Sequence, residues 1–156
     1  MKRHIQLQPL SRQHHNGLLA VLLLRKGLDK AASLKDMAAF ILTLWQQDLA
    51  AHFAAEENVL LPAVPVTTTT KTNIKRLLDE HRQIRGQISL FEKNAPTSEA
   101  VKAFAALLEQ HIRFEERIFF PLVETLLSEA TLAHIGAALH EDLQNTCMNY
   151  PVKFWE

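Results

Sequence analysis

HFAAEENVLLP, residues 52–62, and HIRFEERIFFP, residues 111–121, share one skeleton: a histidine, three residues, two glutamates, four residues and a proline. The four-residue step from His52 to Glu56, and from His111 to Glu115, puts each pair on one helical face, about 40° apart around the axis and roughly 6 Å along it. Their neighbours at helical spacing are apolar: Trp45, Leu49, Val59 and Leu60 around His52, and Phe104, Leu107, Leu108, Phe114, Ile118 and Phe119 around His111. Such a stripe faces a core. Glu57 and Glu116 stand about 100° further round and are expected at solvent or at a helix boundary.

Two more histidines share this setting. His81 has Ile74, Leu77 and Leu78 before it and Ile84 and Ile88 after it. His15 is followed by Leu18, Leu19 and Leu22. His15 is the preferred first-helix residue, because its spacing to Leu18 matches that of His81 to Ile84 and because Leu22 continues its stripe. The adjacent His14, with Leu18 and Val21 nearby, is the alternative.

Glycine is scarce and no stretch alternates like a strand, so the chain is expected to be all-α. Helices are predicted over about 11–28 with Ser11 as N-cap, from 33 to Pro62, over 72–92, and from 98 past Pro121, where a kink is expected. The run TTTT, Thr67 to Thr70, is expected as a loop. A shorter fifth helix is predicted after Ser128. The expected architecture is an up-down-up-down antiparallel four-helix bundle with a short additional C-terminal helix. The whole chain, 1–156, is expected as one domain, with a bundle core over about 10–127 and a C-terminal extension over 128–156.

Buried carboxylates are costly unless paired or bound to metal, and no lysine or arginine lies on the stripes of Glu56 and Glu115. Four histidines and two glutamates on four core stripes therefore point to metal. Imidazole and carboxylate without thiolate suit iron, manganese or zinc, and six ligands exceed what one tetrahedral zinc needs. Two ions, each holding two histidines and sharing two bridging carboxylates, would use all six. Iron is preferred, with zinc or manganese as substitutes, since open positions on a redox metal can take oxygen.

Composition removes other classes. Seventeen basic and seventeen acidic residues cancel in a 156-residue chain, so no overall field favours nucleic acid or a membrane surface. The longest apolar run, residues 18–24, is far short of the ~20 residues that span a bilayer. Without a secretory pattern, the cytoplasm is the expected location. Cys147 stands alone, which excludes a disulfide framework or thiolate cluster. His134 and His140 are expected at the surface or in packing, His4 in a mobile terminus and Trp45 in the core. The ending NYPVKFWE is aromatic-rich but carries no site pattern.

The series His15, His52-x-x-x-Glu56, His81, His111-x-x-x-Glu115, with HFAAEENVLLP, HIRFEERIFFP and DEHRQIR around it, resembles the hemerythrin-like (HHE cation-binding) family over about residues 10–127. The resemblance implies a non-haem di-iron centre with His15, His52, Glu56, His81, His111 and Glu115 as ligands. Oxygen-carrying members place a histidine where this chain has Arg85, and an aspartate where it has Glu116. The pattern is closer to the bacterial four-His, two-Glu subgroup, which includes proteins implicated in iron-centre repair and in responses to oxygen or nitric oxide. The first functional expectation is binding or sensing of oxygen, nitric oxide or a related small molecule, at a position lined by Leu22, Ile84, Phe114 and Phe119. A redox or iron-handling role at the same centre is the alternative, and a purely structural metal the third.

Overall fold

Among the described residues, 2–143 and 150–156, the computed structural model contains helices and no strand, in line with the all-α expectation. A 3-10 turn, Ile5–Leu7, leads into α1, Gln8–Asp29. α2, Leu34–Leu44, runs through a π-helical turn, Trp45–Leu49, into α3, Ala50–Ala55. A second π turn, Glu56–Leu60, and a 3-10 turn, Leu61–Ala63, close that stretch. α4 spans Thr68–Lys93. α5, Ser98–Phe114, continues through a third π turn, Glu115–Phe119, into α6, Phe120–Leu126, and α7 covers Glu129–Asp142. α1 packs on α5, α5 on α4, and α2 on α4.

Local chemistry moves two predicted boundaries. Helix α1 starts at Gln8 with proline in its first turn and no side-chain cap. Ser11 lies inside it and donates its hydroxyl to Glu116 Oε1 at 2.7 Å instead of capping. The threonine run is a helix start, not a loop. Thr67 accepts from the Thr70 N–H at 3.1 Å while Thr70 Oγ1 accepts from the Thr67 N–H at 2.7 Å. This reciprocal box satisfies two otherwise orphaned donors, and it outweighs the poor interior propensity of threonine. Thr70 also donates to the Pro65 carbonyl at 2.6 Å, fastening the preceding turn to the helix.

Two of the π turns have a visible cause. Pro62 and Pro121 each follow directly on a π turn and the residue after it, and neither can donate a backbone hydrogen bond or tolerate a normal turn's carbonyl behind it. A widened turn absorbs that misfit without breaking the helix. Both widened turns begin at a repeat glutamate, Glu56 or Glu115.

The apolar core falls into two clusters separated by a polar level. One gathers Val21, Leu24, Phe40, Ile41, Leu44, Ile88 and Phe104; the other gathers Leu7, Leu60, Phe119, Phe120, Val123, Leu132 and Ile135. Along α4 the chain passes from Leu77 in one cluster, through buried Glu80 and His81, to Ile84 in the other. Both chain ends dock on this frame. Gln6 lies against Gly136, so close that a Cβ there would displace the Gln6 amide. At the opposite end Phe154 covers Gly27, and Phe40 makes edge contacts with Tyr150, Phe154 and Trp155 at centroid distances of 5.3, 5.2 and 6.0 Å. The aromatic ending therefore plugs the bundle end. Cys147 lies outside the described residues. No described helix is long and apolar enough to cross a membrane.

Truncating Phe154 to Ala should cost about 3 kcal/mol, the low end for a buried phenylalanine. A drop in the urea midpoint at unchanged slope would show this. A midpoint equal to wild type would mean that the aromatic plug contributes nothing.

Candidate metal centre

Six buried side chains converge on the polar level in two overlapping groups. One holds His14, His52, Glu56 and Glu115; the other holds Glu56, His81, His111 and Glu115. Within each group the potential ligand atoms lie within 4.8 Å of one another. Glu56 Oε1 is 3.3 Å from both His52 Nε2 and His81 Nε2. Glu115 Oε1 is 2.5 Å from His111 Nε2 and 3.6 Å from His14 Nε2. Each carboxylate thus touches one histidine of either pair, the arrangement two bridging groups would have.

The first-helix histidine is a correction. The structure brings in His14, while His15 is exposed. Adjacent helical residues differ by about 100° in direction, so only one can face inward. The inward face runs through Leu10, His14, Gly17, Val21 and Leu24, all buried, whereas Leu22, which favoured His15, is 51% exposed. His52, Glu56, His81, His111 and Glu115 all lie in the cluster. His134 and His140 are exposed. His4 is not loose: it caps the first turn and bonds Glu129 at 3.0 Å.

Every ring in the cluster is fixed from behind. His14 Nδ1–H donates to Glu116 Oε1 at 2.7 Å, His81 Nδ1–H to Glu57 Oε2 at 2.6 Å, and His111 Nδ1–H to Glu80 Oε1 at 2.9 Å. His52 Nδ1–H donates to the amide oxygen of Gln13 at 2.6 Å. Glu57 and Glu116 therefore do not simply face solvent; the widened turns leave them half-buried against rings from other helices. The doubled glutamates were visible in the sequence, but nothing in their spacing told which ring each would meet. Glu80 and Gln13 carried one usable signal: each immediately precedes a cluster histidine. Three arginines complete the outer layer, Arg3 on Glu116 at 3.1 Å, Arg85 on Glu57 at 2.9 Å and Arg76 on Glu80 at 3.4 Å. Arg3 also pairs with Glu124. Stacked aromatics hold two rings flat, Phe53 against His81 at 3.8 Å and Phe120 against His14 at 5.3 Å.

This layer fixes which ring nitrogen faces the centre. A ring whose Nδ1–H is donated outward turns Nε2 inward. His14 Nε2 and His52 Nε2 face each other at 3.0 Å, a contact that either a shared proton or a cation held by both nitrogens satisfies. Among the described residues, both oxygens of Glu56 and of Glu115, together with Nε2 of His81 and of His111, are buried with no well-formed hydrogen bond and touch only groups of the cluster itself. Orphaned acceptors of this kind are rare and costly. A pair of cations satisfies all of them, so the residues fit a two-metal centre.

The metal-free electrostatics show the strain. Burial drives the Glu56 carboxyl well above its usual range, with the nearby Glu115 charge adding to it. For Glu115 burial is outweighed by the charge of His111, and its pKa falls well below normal. Burial opposes the charge of His111, but Glu115 and Glu80 prevail and raise it to about 9. Burial and the His111 charge lower His81 to about 4. His52 is lowered by burial and by His14. For His14 burial is overcome by Glu115 and Glu116, and its pKa is raised. Asp48, on the Trp45–Leu49 turn, is also buried, with its carboxyl pushed up to about 6 by desolvation.

A cavity of about 10 Å³ adjoins the cluster, bounded by Gln13, His14, Leu49, His52, Phe53, Leu108, His111 and Ile112. That is room for about one water-sized molecule. Its apolar wall differs from the expected one of Leu22, Ile84, Phe114 and Phe119, because Leu22 points outward and the two phenylalanines belong to the other apolar cluster.

A family model described as hemerythrin HHE cation binding domain matches residues 9–123. No curated protein and no solved structure matches the chain. The matched segment carries all six converging residues and covers most of the chain, which belongs to the hemerythrin HHE cation-binding family.

Replacing His14 with Ala should lower bound metal per chain, whereas replacing His15 with Ala should leave it at the wild-type value; metal analysis of both purified variants decides between them. In the metal-free protein His81 and His111 should act on stability in opposite directions as pH changes. His81, with an ordinary value of 6.5 and a folded value of about 4, binds its proton more readily when unfolded, so its contribution grows as pH rises through that window. His111, raised to about 9, contributes fully below pH 6.5 and loses that contribution as pH rises toward 9. The thermal midpoint should fall between pH 6.5 and 9, and His111→Gln should flatten that fall; an unchanged fall in the folded variant would contradict the assignment.

Proposed function

We propose that this hemerythrin-family chain is an up-down-up-down antiparallel bundle with a short additional C-terminal helix, holding two non-haem iron ions at which it binds or senses a small diatomic, oxygen or nitric oxide. One observation carries the reading: two buried histidine pairs share two carboxylates whose oxygens have no other partner. His14 and His52 would hold one ion, His81 and His111 the other, with Glu56 and Glu115 shared. Bound there, a pair of redox-active ions supplies open coordination positions and electrons that imidazole and carboxylate cannot supply alone.

The chain's own residues do the rest. Glu116, Glu57, Glu80 and Gln13 orient the rings and turn each Nε2 toward the centre. Leu49, Phe53, Leu108 and Ile112 wall the cavity with hydrocarbon, which excludes bulk water and favours an apolar gas over a hydrated ion. The cavity's size supports a diatomic and argues against an organic substrate. Arg85 does not add an imidazole from α4; it holds Glu57. The centre would thus offer two histidines to each ion. The balanced charge of the chain and the absence of a spanning helix among the described residues are compatible with a cytoplasmic setting.

The test is purification without oxygen, metal analysis, and absorption spectra before and after admitting nitric oxide or air. The expected result is close to two irons per chain and new absorption with nitric oxide that is reversed by its removal. Absence of metal, or a single zinc, would overturn the di-iron reading. Two irons that oxidise in air and form no nitric oxide adduct would overturn binding and sensing while leaving the centre.

A further inference from the structure

The outer layer is not symmetric. His81 and His111 both rest on ionised carboxylates, Glu57 and Glu80. For each carboxylate burial is outweighed by its histidine partner and the neighbouring charges, and its pKa is lowered. His14 rests on a third carboxylate, Glu116, but His52 rests on Gln13, whose amide is neutral. Each carboxylate also has an arginine on its outer side, so that its negative end points at the ring; Gln13 has no such charge to orient. Buried Asp48, one turn before His52, does not replace it, since its Oδ1 has no hydrogen-bond partner.

A carboxylate behind an imidazole makes the opposite ring nitrogen a stronger donor to a cation, and losing such a partner typically weakens metal binding by about 10–100-fold. Glu56 is equally distant from the two pairs and Glu115 lies nearer His111 than His14, so neither compensates for the difference.

We propose that the two metal positions are unequal, and that Gln13, a positioning residue acting through His52, makes the His14–His52 position the one that fills last and empties first. The proposal rests on the two-metal reading above. It gives the chain one retained ion and one exchangeable ion, and the exchangeable one borders the cavity through both of its histidines and through Gln13 itself.

Zinc(II) tests this in the metal-free full-length chain, because it is diamagnetic and needs no oxidant. At one equivalent, imidazole NMR signals should show His81 and His111 metal-bound while those of His14 and His52 remain metal-free. A competing chelator should strip the second ion first. Gln13→Glu should tighten the second binding step by about tenfold or more, and Glu57→Gln should weaken the first, so that both variants bring the two steps together from opposite sides. Circular dichroism of each variant checks that the helices are intact. The proposal is overturned if one equivalent distributes evenly over both pairs, if His14 and His52 fill first, or if folded Gln13→Glu leaves the second step unchanged. Uptake of no more than one zinc even with excess metal would instead overturn the two-metal reading itself.

Discussion

The constraint on which the centre depends is the burial of two carboxylates, Glu56 and Glu115, between the two apolar clusters, with no lysine, arginine or hydroxyl among the described residues bonded to their oxygens. Two such charges side by side in a poorly polar medium repel each other and are poorly solvated, and the metal-free protein relieves this by holding one carboxyl protonated and taking protons onto histidine. Cations remove the conflict at its source. The rest of the polar level can be understood as preparation for them: rings turned with Nε2 inward, carboxylates behind the rings, and arginines behind the carboxylates. In two directions this order runs from a charged exterior to a fully buried interior within three side chains, as in Arg85–Glu57–His81 and Arg76–Glu80–His111.

That layering also divides labour between the two apolar clusters. Each cluster fastens helices together on one side of the polar level, so the spacing of the histidines is set by hydrocarbon packing and not by the metals they would hold. Gly17 and Gly27 allow close approach of Ile112 and Phe154 to α1, and the resulting tight fit keeps α1 in register with its neighbours. Metal is then expected to add stability to a frame that already exists, rather than to create the fold.

The sequence disclosed those parts that follow from helical periodicity. The pairs His52–Glu56 and His111–Glu115 were legible because a four-residue step has one geometric meaning on a helix, and His81 because apolar residues flank it on both sides. The choice between His14 and His15 was not, since Leu18 lies within one turn of both. Following the stripe backward to Leu10 and forward to Leu24 would have separated them. Contacts between helices were not legible at all. That Glu116 reaches His14, or that Arg3 closes over Glu116, depends on how helices far apart in the chain meet, and spacing within one helix carries no information about that. The threonine run misled for a related reason, because propensity describes helix interiors while the reciprocal box at Thr67 and Thr70 acts at an end.

A π turn is, in sequence arithmetic, one residue more than an α-helix needs. Two of these extra residues sit between a cluster histidine and the proline that follows it, at Glu56–Leu60 and Glu115–Phe119. Removing a single residue from either stretch would restore a regular helix and leave the helix beyond it close to its present rotation, because the widened turn already absorbs the extra residue. Phe120 and Val123, beyond the second stretch, would keep their place in the second apolar cluster. What the extra residue sets is local: the direction of the paired glutamates, Glu56–Glu57 and Glu115–Glu116, that open each turn.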